Sequence, residues 1–207
     1  MPHPAPLRTE DGLKRLVAFT DAVVAIAMTL LVLPLADLAA ELRGQKSLGE
    51  VISTNSAALV GFFISFAVIW ILWRNHHQIM ENFRGYNATM LNLHFVFLLA
   101  IVLLPLATAL ISNEHVHWAD AAYIVVLGIA IGSLIGISRQ GVRDPDLVVD
   151  DEQVRHSLAG WAGIGTIAAL AAALLVTLLF PSLGSWPLLF LALPGPLEAI
   201  LTRVRGG

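Results

Sequence analysis

The sequence predicts an all-α integral membrane protein of six transmembrane helices, on three observations. Apolar residues make up 57% of the 207 positions and charged residues 13%, with a mean hydropathy of +0.78, whereas a soluble domain averages about 45–50% apolar and about 25% charged residues. Six stretches approach the roughly twenty apolar residues that a helix needs to cross a bilayer. Lysine and arginine, finally, fall almost wholly on one side of those stretches, the pattern produced when basic loops are retained in the cytoplasm.

The first span, residues 16–35, follows Lys14 and Arg15 and carries Asp21 near its start. It is too long for the apolar region of a secretory signal, which reaches about 15 residues, and further spans follow it. The second, 52–73, ends on Trp73-Arg74-Asn75-His76-His77, and the third, 88–111, has Asn92 near its start, close to the same membrane face. In the fourth, 119–138, Gly128, Gly132 and Gly136 recur every four residues, a small-residue ridge that lets another helix pack closely. The fifth, 157–180, reads as a packing face in the same way, with Gly160, Gly163 and Gly165 before the alanine-rich run 168–173. The sixth, 185–204, contains Pro187 and Pro194-Gly195-Pro196, so it is expected as two half-helices or as one bent span. Together the spans make one domain over 1–207.

Arg8, Lys14, Arg15, Arg74, Arg84, Arg139, Arg143, Arg155, Arg203 and Arg205 fall on one side of these spans, and only Arg43 and Lys46 on the other. Both termini are therefore predicted to be cytoplasmic, which six spans allow. The connection 139–156 has mixed charge and reads as a solvated linker too short to be a domain. Segments 112–118 and 181–184 read as tight turns that leave no ectodomain for a ligand. A net charge of −3 without a basic tract gives no sign of nucleic acid as a partner. The chain has no cysteine, hence no disulfide and no thiolate metal site.

An ionisable side chain at a helix centre costs about 2.5–3.5 kcal/mol on insertion scales, so Arg15, Thr20 and Asp21 in the first span form a functional-site hypothesis. The alternative is that Arg15 snorkels to the headgroups and Asp21 caps the helix. Trp73 and His77, four apart on one helical face, lie at the same depth, as does Asn92. A network of Arg15, Thr20, Asp21, Trp73, His77 and Asn92 would satisfy these polar groups and fix the register of the first span; otherwise the histidines simply sit among headgroups. Phe19, Ala22, Ile26, Thr29 or Leu30, and Leu33 form a stripe at helical spacing, which spacing alone does not assign among lipid contact, packing and other roles. Ser133 is a poor nucleophile candidate, because no glycine lies two residues before it and no histidine base lies in the later spans. His76-His77 and His115-x-His117 make weak metal ligands, since adjacent histidines on a helix point about 100° apart.

Arg15-x-x-x-Phe19-Thr20-Asp21, followed by Ala22-Val-Val-Ala-Ile26-Ala-Met-Thr29-Leu30-Leu-Val-Leu33, resembles the signature first helix of the bacterial transmembrane protein 175 family of potassium channels, with Thr20 where serine is commoner. Trp73-Arg-Asn-His76-His77, the run Leu91-Asn92 to Pro105, and Thr108 are also similar to the family. The resemblance covers roughly the first 115 residues; the later spans agree in number and hydropathy. It implies a homotetramer in the lipid bilayer, with four first helices around a central pore that passes potassium and other monovalent cations. It implies a constriction at Ile26, Leu30 and Leu33, with Thr29 as the selectivity candidate. Arg15, Phe19, Thr20 and Asp21 are then the signature motif, and Trp73, His77 and Asn92 its polar support. The family lacks the Thr-Val-Gly-Tyr-Gly carbonyl filter, as does this chain, so moderate selectivity and a hydrophobic gate are expected. No enzyme activity and no cofactor beyond permeant potassium are expected, and short loops suggest a prokaryotic plasma membrane. The competing expectation is a proton-coupled secondary transporter using Asp21 and His77. Such a carrier should show internal repeats and a midplane site, but the sequence has no duplicated motif and Asp21 lies near one end of its span.

Overall fold

The computed structural model describes residues 9–36, 47–111 and 118–149. The expected spans 157–180 and 185–204, the turn at 181–184, most of the turn at 112–118, and Arg43 and Lys46 lie outside the described residues. Helix α1 (Glu10–Leu30) begins where the Thr9 hydroxyl accepts a hydrogen bond from the Gly12 N–H at 3.3 Å, and Glu10 and Asp11 put negative charge at the positive end of the helix dipole. It ends at Leu30 because Pro34, four residues on, has no N–H to give the Leu30 carbonyl and its ring crowds that oxygen. Residues 33–36 are again helical.

A capping box between Ser47 and Glu50 opens the short α2 (Leu48–Thr54). Asn55, whose side-chain amide donates back to the Val51 carbonyl at 3.0 Å, separates α2 from α3 (Ser56–Met80). Helix α4 (Ala88–Ile111) is capped by Asn87, whose Oδ1 accepts from the Met90 N–H at 2.9 Å. Pro105 stands inside α4 and is buried by its neighbours, a setting in which apolar helix packing tolerates a missing backbone donor. Helix α5 (Ala119–Arg143) leads into a 3-10 turn, Pro145–Leu147.

Helices α1, α3, α4 and α5 are each long and apolar enough to cross a membrane. The third expected span coincides with α4. The fourth lies inside a longer helix, since α5 continues to Arg143; the first is shifted, since α1 starts at Glu10 and ends at Leu30, and the second straddles the end of α2, Asn55 and α3, which runs through Trp73 to Met80. Hydropathy marks the stretch of hydrocarbon length, whereas a helix continues for as long as its backbone can bond internally.

Helix α4 is the hub. Half of its apolar window is buried, against 22% for α1 and α3, and it packs on α1, α3 and most extensively on α5. The main core joins Val24, Ala27 and Leu31 of α1 to Ile69 and Leu72 of α3, Phe97, Ile101 and Leu104 of α4, and Tyr123, Leu127 and Leu134 of α5. Gly136 belongs to the α4–α5 seam, where an added Cβ would stand 3.0 Å from a Leu93 methyl. At Gly128 and Gly132 an added Cβ would meet nothing within 4 Å among the described residues, so the glycine ridge is tight at its Gly136 end and not at the other two positions.

The connection after α5 corrects the expectation of a solvated linker over 139–156, as far as residue 149. Leu147 and Val148 are fully buried with Leu13, Met80, Phe83, Met90 and Ile137 in a second cluster at the basic end of the bundle. The backbone is tied down as well. Phe83 and Val148 form an antiparallel bridge, Arg84 N–H donates to the Leu147 carbonyl at 2.8 Å, and Val149 N–H donates to the Asn82 carbonyl at 3.0 Å. Arg84 Nε adds a bond to the Asp146 carbonyl at 2.9 Å. The mixed charge hid an apolar Leu-Val pair that the end of the bundle needs for its own closure.

Candidate functional site

Helix α1 carries two opposite faces. Leu13, Thr20, Val24, Ala27 and Leu31 are buried, at spacings of seven, four, three and four that keep them on one side of a 3.6-residue helix. The other side is open: Phe19 is 60% exposed, Ile26 and Leu33 59%, and Leu30 38%, with Ala22 and Thr29 exposed between them. No ionisable residue occurs from Ala22 to Ala36. The Thr29 hydroxyl donates to the Ile26 carbonyl at 2.7 Å, which commits its proton to the helix and leaves the oxygen lone pairs for anything that meets this face.

Asp21 ties this helix to α3. Its Oδ1 accepts the indole N–H of Trp73 at 2.9 Å, a charge-assisted bond between partners 52 residues apart. Trp73 is flanked along α3 by Trp70, with ring centroids 4.8 Å apart, and by His77, stacked at 5.6 Å and 22°. His77 Nε2 is 3.4 Å from a Glu81 carboxylate oxygen one turn further. Asp21, Trp73 and His77 of the expected network therefore come together. Thr20 is buried, but its hydroxyl donates to the Leu16 carbonyl at 3.0 Å and is satisfied within its own helix. Arg15 and Asn92 are exposed on α1 and α4, apart from the Asp21–Trp73 bond.

A second polar joint was not anticipated. His76 of α3 and His94 of α4 are both buried, with their Nε2 atoms 3.2 Å apart. His94 Nδ1 is 2.8 Å from the Met90 carbonyl, and the His76 ring lies flat against Phe97 at 5.4 Å and 8°. The signal was present in the spacing. His76 continues the buried series Ile69, Leu72, and His94 sits within the series Met90, Phe97, Ile101, so both share the helical phase of core residues. Nearer the middle of the bundle, the Ser65 hydroxyl is hydrogen-bonded with the Thr108 hydroxyl at 2.8 Å and the Tyr123 hydroxyl at 3.2 Å, joining α4, α3 and α5, while Thr108 also bonds the Leu104 carbonyl of its own helix at 2.8 Å. Among the described residues no three His, Asp or Glu side chains gather as a metal site would.

Four apolar helices of membrane length, pinned to one another by buried and half-buried polar pairs, define a multi-pass α-helical membrane protein whose first helix is held on one face and exposed on the other. The family described as endosomal/lysosomal potassium channel TMEM175 matches residues 15–105, which hold α3 entire and most of α1 and α4. Over that segment, somewhat less than half of its length, the chain is similar to the TMEM175 family.

Similar proteins include a potassium channel of Streptomyces collinus, 30% identical over 55% of this chain and 56% of its own length. A potassium channel of Chamaesiphon minutus is 32% identical over 65% of this chain and 66% of its own length, and one from a Chryseobacterium species is 34% identical over 49% and 50%. The chain thus spans about half to two thirds of the curated relatives it matches. The crystal structure of a lysosomal potassium-selective channel TMEM175 homolog from Chamaesiphon minutus has the same fold, with a TM-score of 0.76 at 20% identity over 91% of this chain and 98% of that one.

Proposed function

We propose that the protein is a potassium-permeable cation channel of moderate selectivity, gated by a hydrophobic constriction on its first helix. The observation that carries this reading is the uncovered, charge-free stripe of Ile26, Thr29, Leu30 and Leu33 on a helix whose opposite face is fixed by the Asp21–Trp73 bond and the core. Four copies of α1 about a common axis would turn these stripes inward. Aliphatic rings of that kind expel water, so an ion would have to shed its hydration shell with nothing to replace it until the rings move apart. Thr29, with its proton turned to Ile26, would offer the only side-chain oxygens on the stripe near that level. The match to the family over residues 15–105 and the names of the relatives support the same activity.

The full assembly in this reading is a homotetramer of six-span subunits in the plasma membrane, with both termini cytoplasmic. The lopsided arginine distribution and the likeness in fold to the Chamaesiphon homolog support it. A proton-coupled carrier built on Asp21 and His77 is less well supported, because the Asp21 carboxylate is engaged by the Trp73 indole, although Asp21 stands near the middle of α1 rather than near one end of its span as expected. Purified protein in planar bilayers under a potassium gradient, with sodium then replacing potassium, tests the proposal. Single-channel steps that reverse on the potassium side of zero are expected; transport without channel steps, or no current at all, would overturn it.

A further inference from the structure

The His76–His94 pair has a proton order that the geometry fixes. A carbonyl oxygen only accepts, so the 2.8 Å contact with Met90 requires the proton of His94 to be on Nδ1. In neutral His94 the Nε2 is then bare, and the 3.2 Å contact needs His76 to donate from its own Nε2. His76 Nδ1 is left as a lone pair. It is buried and has no hydrogen-bond partner among the described residues.

The opposite order would make His94 a buried cation and would place an unpartnered N–H on His76 Nδ1. A buried charge and an orphaned donor both cost more than an under-used acceptor, so the neutral order wins. Neither ring can turn over freely. Phe97 lies flat on His76, and the Met90 carbonyl holds His94.

We infer that His76 and His94 are positioning residues for the first helix: the ordered pair sets the rotation of α3 against α4 and thereby aims the Trp73 indole N–H at Asp21. Trp73 lies three residues before His76, less than one turn away, so a rotation that breaks one contact also displaces the other. The series Met90 carbonyl, His94, His76, α3 backbone, Trp73, Asp21 then runs from the hub helix to α1 with one direction of donation at each bond. It rests on the proposed channel only for its consequence in gating; the contacts themselves do not depend on conduction.

The test begins with the unmodified protein in lipid bilayers, labelled with 15N in histidine and tryptophan. One buried ring protonated on Nδ1 and one on Nε2 are expected, with both neutral at pH 7. Two rings of the same tautomer, or an imidazolium, would overturn the order. The Trp73 indole signal, assigned by its loss in Trp73→Phe, is expected to shift in His76→Phe, which keeps the stack on Phe97 but cannot donate. It is expected to return in His76→Gln, whose amide N–H reaches the Nε2 position. An indole signal indifferent to both changes would overturn the link to Asp21.

In recordings, His76→Phe should lower open probability about tenfold, the size expected for one unpaired buried group. The potassium-to-sodium ratio should stay unchanged, and combination with Asp21→Ala, which removes the acceptor, should add little. Fully additive effects would sever the two contacts. If the unmodified protein carries no current, the channel proposal fails while the two spectroscopic readouts still decide this one.

Discussion

Trp73 bonds to α1 through its Nε1, and the tilted ring of Trp70 and the stacked ring of His77 flank it along α3. Trp73→Phe preserves the stack and removes the donor. It should destabilise the α1–α3 joint by about 0.6 kcal/mol, the average for interhelical hydrogen bonds in membranes, and by no more than about 1.7 kcal/mol. A lower melting temperature in detergent and reduced open probability with an unchanged ion ratio are the expected outcomes. Thr20→Val should do much less, because the Thr20 hydroxyl only bonds back to its own helix. Thr29 makes the opposite pattern. Thr29→Val removes an oxygen from the exposed stripe and should lower the potassium-to-sodium permeability ratio in bilayer recordings while leaving melting unchanged; an unaltered ratio would remove Thr29 from ion selection.

At the scale of elements, the two faces of α1 divide its labour, and substitutions should divide the same way. Ile26→Asn or Leu30→Asn adds a hydrogen-bonding group to the open stripe and should give a wetter, leakier pore with raised resting current, whereas Val24→Asn buries an amide in the core and should prevent folding. The glycines of α5 offer a paired test. Gly136→Val presses on Leu93 and should destabilise by about 1–3 kcal/mol through overpacking. Gly128→Ala meets no neighbour within 4 Å among the described residues and should be neutral or slightly stabilising, as read from thermal melting.

Much of this layout was legible in the sequence. A run of apolar residues of bilayer length places α4 to the residue, and the pair Asp21 and Trp73 is foretold by the cost of leaving a carboxylate unpaired in a span. The His76–His94 joint was not read, because a histidine's partner lies on another helix and its sequence spacing shows only that it shares a face with core residues. The span ends also escaped hydropathy, since α3 and α5 extend into polar sequence on backbone bonds alone.

For the molecule as a whole, the basic end is closed by a strap rather than left as free chain. Residues 144–149 return over the α3–α4 turn and seal Leu13 of α1 beneath Leu147 and Val148. Leu147→Ala should therefore cost about 2–5 kcal/mol, as for other fully buried leucines. Faster proteolysis in the 81–87 and 144–149 segments is the accompanying readout, with the ion ratio unaffected. The strap was illegible because its acidic neighbours, Asp144, Asp146 and Asp150, dominate the charge pattern while only two apolar side chains do the packing.

Pro34 divides the first helix mechanically. A continuous helix would act as one stiff rod, so any turn imposed at Asp21 would reach every residue of the stripe. With the backbone ladder interrupted after Leu30, Ile26 and Thr29 move with the clamped lever, whereas Leu33 belongs to the next one. In the proposed channel, torque entering through Trp73 would reach Ile26 and Thr29 and fade before Leu33, so the proposed constriction would have an inner ring that is driven and an outer ring that follows its own surroundings.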